Sequence, residues 1–460
     1  MDSSAQLRKY TLIVTVFSTF LNPFMLSGIN VALPAIQKEF GASAVALSWV
    51  SNIFLLAQAV VMMPLGKAAD LYGRKKVFTL GMAVFGLSSF LAGFSTSITV
   101  LIALRVGQGL GMAMVVTTGL AILTSVFPAE KRGSVLGLYA AAVYIGLSIG
   151  PFVGGLLTQH LGWRSIFWLI SPLTLVALFM IGRFMTQEWK DEAGGRFDAL
   201  GSGLYGLAIA ALIYGASLLP RPAAAGLMGL GLAGLAVFVL VEARQAHPVL
   251  EISLFRHNQT FVFSGLAALI NYAATFAVTF LVSLYLQYIK GLSPQQAGLI
   301  LIAQPIMQAL FSPLAGRLSD RIEPRILASV GMAVTALGLF QLVLLKPAMS
   351  VVYIAAILLL LGFGFALFSS PNMSAIMGSV QKKHYGLASG VVATMRLLGQ
   401  MLSMTVTTVV FAVFLGREAI TPATFAAFLR STQTILVIFT LFCLTGIFFS
   451  LIRGRLTGRP

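Results

Sequence analysis

Two charged turns recur in a chain that otherwise carries little charge. Gly66-Lys-Ala-Ala-Asp70-Leu-Tyr-Gly73-Arg74-Lys-Lys76 lies between two long apolar runs, and Gly316-Arg-Leu-Ser-Asp320-Arg321 lies between two more. Gly66 and Gly73 permit a tight turn and a close helix approach, while Asp70 is placed to cap the next helix and to pair with Arg74. The chemistry available is an ionic latch, made and broken as neighbouring segments move.

The apolar runs hold few ionisable groups, and those few are basic. Arg105 and Arg396 are the two basic residues placed inside runs, where an arginine costs about 2.5 to 3.5 kcal/mol on insertion scales. Each can orient an anionic or polar substrate, or bond to a backbone carbonyl of a neighbouring helix. Polar stripes accompany them: Asn271, Thr275, Thr279 and Ser283; Gln304, Gln308 and Ser312; Arg396, Gln400, Ser403 and Thr407. Spacings of three or four residues put each set on one helix face that should avoid lipid. Such faces either line a water-accessible path or bond helix to helix. Asn372, behind Pro371, joins the same group.

Gly146, Gly150 and Gly154 form a small-residue groove on one helix, and Pro151 removes a backbone donor within it. The groove serves either as plain packing or as a seal that opens. All 13 acidic residues, and His160, His247, His257 and His384, fall in loops or at run ends. With no carboxylate, histidine or suitable cysteine converging inside a run, the expectation is no enzyme site, no metal and no cofactor. No repeated filter sequence suggests a channel.

The elements that must position these groups follow from composition. The 460 residues are 58% hydrophobic and 9% charged, with mean hydropathy +0.94, which defines a polytopic membrane protein. Fourteen spans are expected near 11–34, 46–65, 77–96, 98–126, 134–159, 163–185, 199–219, 226–243, 259–289, 294–315, 326–345, 349–378, 387–415 and 431–452. The first is too long for a removable leader and lacks the small-residue cleavage pattern.

A net charge of +17 would suit nucleic acid, but its distribution does not. With the N-terminus cytoplasmic, 21 of the 30 basic residues fall in inside segments, among them Lys75, Lys76, Lys382, Lys383 and Arg453. Only Lys38, Arg164, Arg221, Lys290, Lys346, Arg417 and Arg430 fall outside or at outer ends. That asymmetry places both termini in the cytoplasm. No loop is long enough to carry a basic nucleic-acid face, so none is expected as a partner. Cys443 is the single cysteine, and no intramolecular disulfide can form. Asn258-Gln-Thr260 and Asn372-Met-Ser374 match a glycosylation pattern by chance in this topology.

Internal repetition organises the whole. Gly66 and Gly316 differ by 250 positions, Gly109-Leu-Gly111 and Gly362-Phe-Gly364 by 253, and Gly133 with Gly137 and Gly386 with Gly390 by 253. The plan is two six-helix bundles related by duplication, 1–185 and 259–460, separated by a two-helix insert at 186–258, all of it α-helical.

The same residues resemble the major facilitator superfamily over essentially the full chain. The turn from Gly66 to Lys76 is similar to that family's signature between its second and third helices. Leu101-Ile-Ala-Leu-Arg105-Val-Gly-Gln108-Gly109-Leu-Gly111 resembles a second signature, and Gly146-Leu-Ser-Ile-Gly150-Pro151-Phe-Val-Gly154-Gly155 the antiporter motif. The insert, Asn30-Val-Ala-Leu-Pro34, Trp163-Arg164-Ser-Ile-Phe167, Phe197-Asp198, the stretch from His247 to Arg256 and Gly386-Leu-Ala-Ser-Gly390 further resemble the fourteen-helix drug:proton antiporter branch.

The resemblance implies two bundles facing a central cavity and a bond from Arg105 to the first helix. It implies a multi-pass carrier of the bacterial cytoplasmic (inner) membrane that exports small amphiphilic molecules by alternating access, as in multidrug resistance. Asn30, Arg105, Gln108, Asn271, Thr275, Gln304, Gln308, Asn372, Arg396 and Gln400 are then substrate-path candidates. Gly66, Asp70, Gly73, Arg74, Gly146, Gly150, Pro151 and Gly154 are gating candidates. The partners are a small-molecule substrate, the lipid bilayer and, in that branch, protons. One departure concerns coupling: where the first-helix pattern commonly has aspartate, this chain has Met25. A carrier of neutral or anionic metabolites without proton coupling, and a non-transporting sensor, stand as alternatives.

Overall fold

A computed structural model describes residues 3–190, 197–219, 221–244, 258–319, 321–380 and 385–454. Asp320, Arg196, the whole stretch from His247 to Arg256 and the basic residues Lys382 and Lys383 lie outside the described residues. The described chain is helical, without strands. In order, the helices are α1 (Ser3–Phe40), α2 (Ala44–Tyr72), α3 (Arg74–Ala92), α4 (Ile98–Val126), α5 (Ala129–Leu161), α6 (Arg164–Phe184), α7 (Ala199–Ser217) and α8 (Pro222–Glu242). They continue as α9 (Gln259–Leu284), α10 (Pro294–Leu301), α11 (Ala303–Leu318), α12 (Pro324–Val343), α13 (Val351–Gly378), α14 (Tyr385–Phe414) and α15 (Phe425–Ile452). Helices α10 and α11 form one span interrupted at Ile302, so among the described residues 14 helical segments are long and apolar enough to cross a membrane, the number expected.

Helix ends carry the signals that polar side chains provide. Ser97, Asn258 and Ser350 accept from the backbone N–H three residues on, at the starts of α4, α9 and α13. Ser293 and Gln296 form a reciprocal capping box at α10. The exposed Leu207, Val352, Leu230 and Phe179 are the apolar surface that a bilayer would cover.

The chain packs as two compact units. The first comprises Met1–Ile36, Trp49–Ala216 and Arg221–Leu250; the second comprises Gln37–Ser48, Ser217–Pro220 and Glu251–Pro460. The insert helices cluster with the first unit, where α7 meets α2 through Gly206 against Val60 and through the rings of Tyr214 and Trp49, 6.4 Å apart.

Inside each unit the close helix contacts recur at the sequence offsets. A methyl added to Gly81 on α3 would lie 2.7 Å from the Gly111 carbonyl on α4, and one on Gly331 of α12 would lie 2.7 Å from the Gly364 carbonyl on α13. Gly109 abuts the Phe54 carbonyl on α2 as Gly362 abuts the Gln304 carbonyl on α11. Gly66 rests on Thr117, and Gly316 on Ser370. Each contact in the second unit lies 250 to 253 positions after its counterpart, so duplication governs packing as well as sequence.

The glycine groove of α5 departs from that symmetry. Gly146 abuts the Phe20 carbonyl, and a methyl on Gly154 would lie 2.7 Å from the Gly28 carbonyl, so the groove receives α1 backbone to backbone. On α14 only Gly399 keeps the arrangement, against the Leu269 carbonyl. Ser403 and Thr407 stand where the offset places Gly150 and Gly154, and the Ser403 hydroxyl accepts from the Ala277 N–H at 3.0 Å. Gly154→Leu should therefore separate α1 from α5. The expected cost is about 1 to 3 kcal/mol or more of overpacking, read as a lowered midpoint of thermal unfolding in detergent; an unchanged midpoint would show that the helices yield without cost.

Candidate functional site

The charged turn is shorter than the sequence suggests. Helix α2 runs through Gly66, Lys67 and Asp70 to Tyr72, and only Gly73, at φ 114°, leaves the helical region before α3 begins at Arg74. A positive φ of this size favours glycine, which explains its place here. Arg74 bonds Asp70 at 2.7 Å through Nε and Nη2, and its Nη1 donates to the Ser125 hydroxyl at the end of α4 at 2.6 Å. Asp70 thus forms the expected ion pair, four residues from Arg74.

Asp70 does not cap α3. The N-cap is Gly73, which has no side chain to offer. Glu188, beyond the sixth span, accepts from the Lys75 N–H at 2.7 Å, and the Trp189 carbonyl accepts from the Arg74 N–H at 2.8 Å. Asp70→Asn should weaken the Arg74 pair while leaving insertion and ligand binding intact. A severalfold drop in transport rate is expected, measured as initial flux at saturating substrate; an unchanged rate would reduce the pair to a topological signal.

Arg105 is fully buried on α4. Its Nε donates to the Val50 carbonyl on α2 at 2.9 Å and its Nη1 to Gln108 Oε1 at 2.9 Å. Gln108 in turn donates to the Ser89 hydroxyl on α3 at 2.9 Å. The guanidinium lies 4.3 Å over the Phe54 ring. The bond therefore goes to the second helix, and not to the first as the resemblance implied: α2 presents Val50 one turn from the phenylalanine that stacks on the cation. Two hydrogen bonds to a charged group contribute about 1.5 to 3 kcal/mol each, enough to offset the insertion cost without an acid. Nη2 is buried with no hydrogen bond among the described residues. Asn30 on α1 accepts from the Ser51 hydroxyl at 3.1 Å, so the first-unit candidates gather around the α1, α2 and α4 contacts.

The second-unit candidates fall into two sets. Asn271, Thr275, Gln304 and Gln308 are buried, and both side-chain polar atoms of Asn271 lack a hydrogen bond among the described residues. Arg396 and Gln400 are half-buried on α14. Asn372 joins a cluster that the sequence reading missed. Arg453, assigned there to a solvated end, is only 1% exposed, and its Nη1 donates to Asn372 Oδ1 at 2.7 Å and to the Ser264 hydroxyl at 3.3 Å. Asn372 donates to the Ser264 carbonyl at 3.1 Å, and Thr260 to the Arg453 carbonyl at 2.9 Å. Burial pushes the Arg453 guanidinium down to about 10, against the pull of Glu323 and with the added push of Arg325. Its position one residue past the last apolar run gave no hint of this, because basic residues at such ends are usually solvated.

No group of three or more histidine, cysteine, aspartate or glutamate residues could hold a metal ion among the described residues. Fourteen apolar helices, duplicated close contacts and a buried cation held by neutral partners define a polytopic membrane transporter. A family model described as Major Facilitator Superfamily matches residues 15–404, and the chain belongs to that family as a secondary transporter. It is 29% identical over 388 residues to a riboflavin transporter, RibZ, of Clostridioides difficile, covering 84% of each chain. It is 32% identical over 416 residues to the multidrug resistance protein Stp of Mycobacterium tuberculosis, covering 88% of this chain and 77% of that one. The fold matches the crystal structure of a bacterial homologue of the human lysosomal transporter Spinster, with TM-score 0.65, 17% identity and 97% of each chain covered.

Proposed function

We propose that this transporter exports small amphiphilic molecules across the bacterial cytoplasmic membrane by alternating access, preferring neutral or anionic compounds to permanent cations. The observation that carries the preference is Arg105, a fully buried cation held by the neutral groups of Val50, Gln108 and Phe54. Bringing a second positive charge into such low-dielectric surroundings is costly, whereas an anion or a neutral dipole is accepted. Met25, buried on α1 where a carboxylate would attract cations, supports the same reading. Export, as the direction, draws on the relative named for multidrug resistance.

Both termini are assigned to the cytoplasm on the charge asymmetry. In a Cys443→Ser background, Ala348→Cys should react with an impermeant thiol reagent added outside cells, and Thr186→Cys only after permeabilisation; both positions are exposed. The reverse pattern would overturn the orientation and, with it, the direction of export.

The decisive assay reconstitutes the purified protein in proteoliposomes and follows anilinonaphthalene sulfonate and ethidium, with and without an imposed pH gradient. Faster movement of the anionic probe is expected. Strong, gradient-driven movement of ethidium alone would overturn the preference and establish a proton-coupled cation exporter.

A further inference from the structure

The two units end their second charged segment differently. In the second unit, helix α12 has Glu323 at its N-cap position, where the side chain makes no bond to the helix backbone, and Pro324 at its first position, so one orphan N–H is absent. Glu323 also pairs with Arg325 at 3.0 Å. Position 323 lies 250 after Gly73, and 324 lies 250 after Arg74. At the matching place in the first unit the chain has a glycine with no side chain, followed by a residue whose N–H needs an acceptor.

Both needs are met from a distance. The Glu188 carboxylate accepts from the Lys75 N–H at 2.7 Å and from the Trp189 N–H at 3.1 Å. The Trp189 carbonyl accepts from the Arg74 N–H at 2.8 Å. The fit leaves no spare room, since a methyl on Gly73 would lie 2.7 Å from the Glu188 carboxyl carbon. The start of α3 is held by a clip from the segment that leads from α6 into the insert.

We propose that Glu188 is a positioning residue for transport: with Trp189 it clips the α6–α7 connection to the start of α3 and so holds Arg74 in register with Asp70 and Ser125. At the matching position the second unit has a carboxylate of its own, Glu323, which pairs with Arg325 and makes no bond to the start of its helix. The clip instead ties the insert's leading segment to the charged turn, so the turn cannot reorganise without moving that segment. The inference goes beyond the substrate reading above and does not depend on which compound is carried.

The test uses the full chain with Glu188→Ala, Glu188→Gln, Asp70→Asn and the double variant Glu188→Ala with Asp70→Asn. Hydrogen exchange of the peptide spanning 73–79 in purified protein reads the clip, and Vmax and KM for anilinonaphthalene sulfonate in proteoliposomes read its consequence. Glu188→Ala should speed exchange at Arg74 and Lys75 and lower Vmax about fivefold, the equivalent of one N-cap interaction, with KM unchanged. Glu188→Gln keeps an acceptor and should recover most of the rate. The double variant should be no slower than Asp70→Asn alone, because both act through Arg74. Unchanged exchange in Glu188→Ala would show that the clip does not exist. Faster exchange with unchanged Vmax, or independent effects in the double variant, would show a helix cap with no role in transport. A failure of the anionic probe to move in unsubstituted protein would count against the substrate preference, while the exchange data would still decide the clip.

Discussion

Arg105→Ala is expected to cut movement of an anionic amphiphile by at least about tenfold and to narrow the gap between that probe and ethidium. The reasoning starts from what the guanidinium holds. One planar group reaches the Val50 carbonyl on α2, Gln108 beside it on α4 and, through Gln108, the Ser89 hydroxyl on α3, while stacking on Phe54. Truncation leaves the Gln108 carbonyl oxygen unsatisfied in buried surroundings, at about 1 to 3 kcal/mol, and removes the positive charge that favours an anion. Arg105→Lys should recover little, since a single ammonium on a flexible stem cannot bond both oxygens and lie flat on the ring. Thermal stabilisation by the anionic probe separates the contributions: its loss marks binding, while a lowered midpoint without probe marks the joint between helices. Full retention of anionic flux in Arg105→Ala would remove the observation on which the substrate preference rests.

The duplicated architecture was legible because it depends on small residues at close contacts. Gly81 with Gly111, and Gly331 with Gly364, meet across helices where any side chain would collide, and their spacing is visible in the chain itself. The number of spans was legible because about 20 apolar residues are needed to cross the hydrocarbon. Span limits were less so: α1 continues to Phe40 and α2 to Tyr72, past the expected ends at 34 and 65, since polar residues such as Gln37 and Asp70 stay helical when they find partners. Arg453 shows the converse. A basic residue just past an apolar run looks solvated, and only the meeting of α9, α13 and the end of α15 reveals that Ser264 and Asn372 enclose it. Glu188 was equally silent, because its partner lies 113 positions away and no pattern links them.

A disulfide between Ser48→Cys and Thr408→Cys, in a Cys443→Ser background, is expected to stop net transport until it is reduced. The segment Gln37–Ser48, which joins α1 to α2, belongs to the second unit, although most of both helices belongs to the first. It is fastened there by neutral hydrogen bonds. The Ser48 and Thr408 hydroxyls are 2.8 Å apart, Gln37 donates to the Ile420 carbonyl at 3.1 Å and accepts from the Tyr288 hydroxyl, and the Ala44 N–H meets the Glu418 carbonyl at 3.1 Å. Tyr288 stands on a π-helical turn, Tyr285–Ile289, an irregularity frequent at functional sites. Neutral bonds of this kind contribute about 0.5 to 1.5 kcal/mol each, strong enough together to hold the segment within the second unit and weak enough to be exchanged for water. If α1 and α2 move as a pair during alternating access, the segment that joins them must leave these partners in each cycle. A covalent bond at the Ser48 and Thr408 pair prevents that, whereas Ser48→Ala should only ease it. Thiol titration establishes the extent of cross-linking, and counterflow before and after reduction gives the rate. Fully cross-linked protein that still carries out counterflow would show that this turn stays closed throughout the cycle and that the moving contact lies elsewhere.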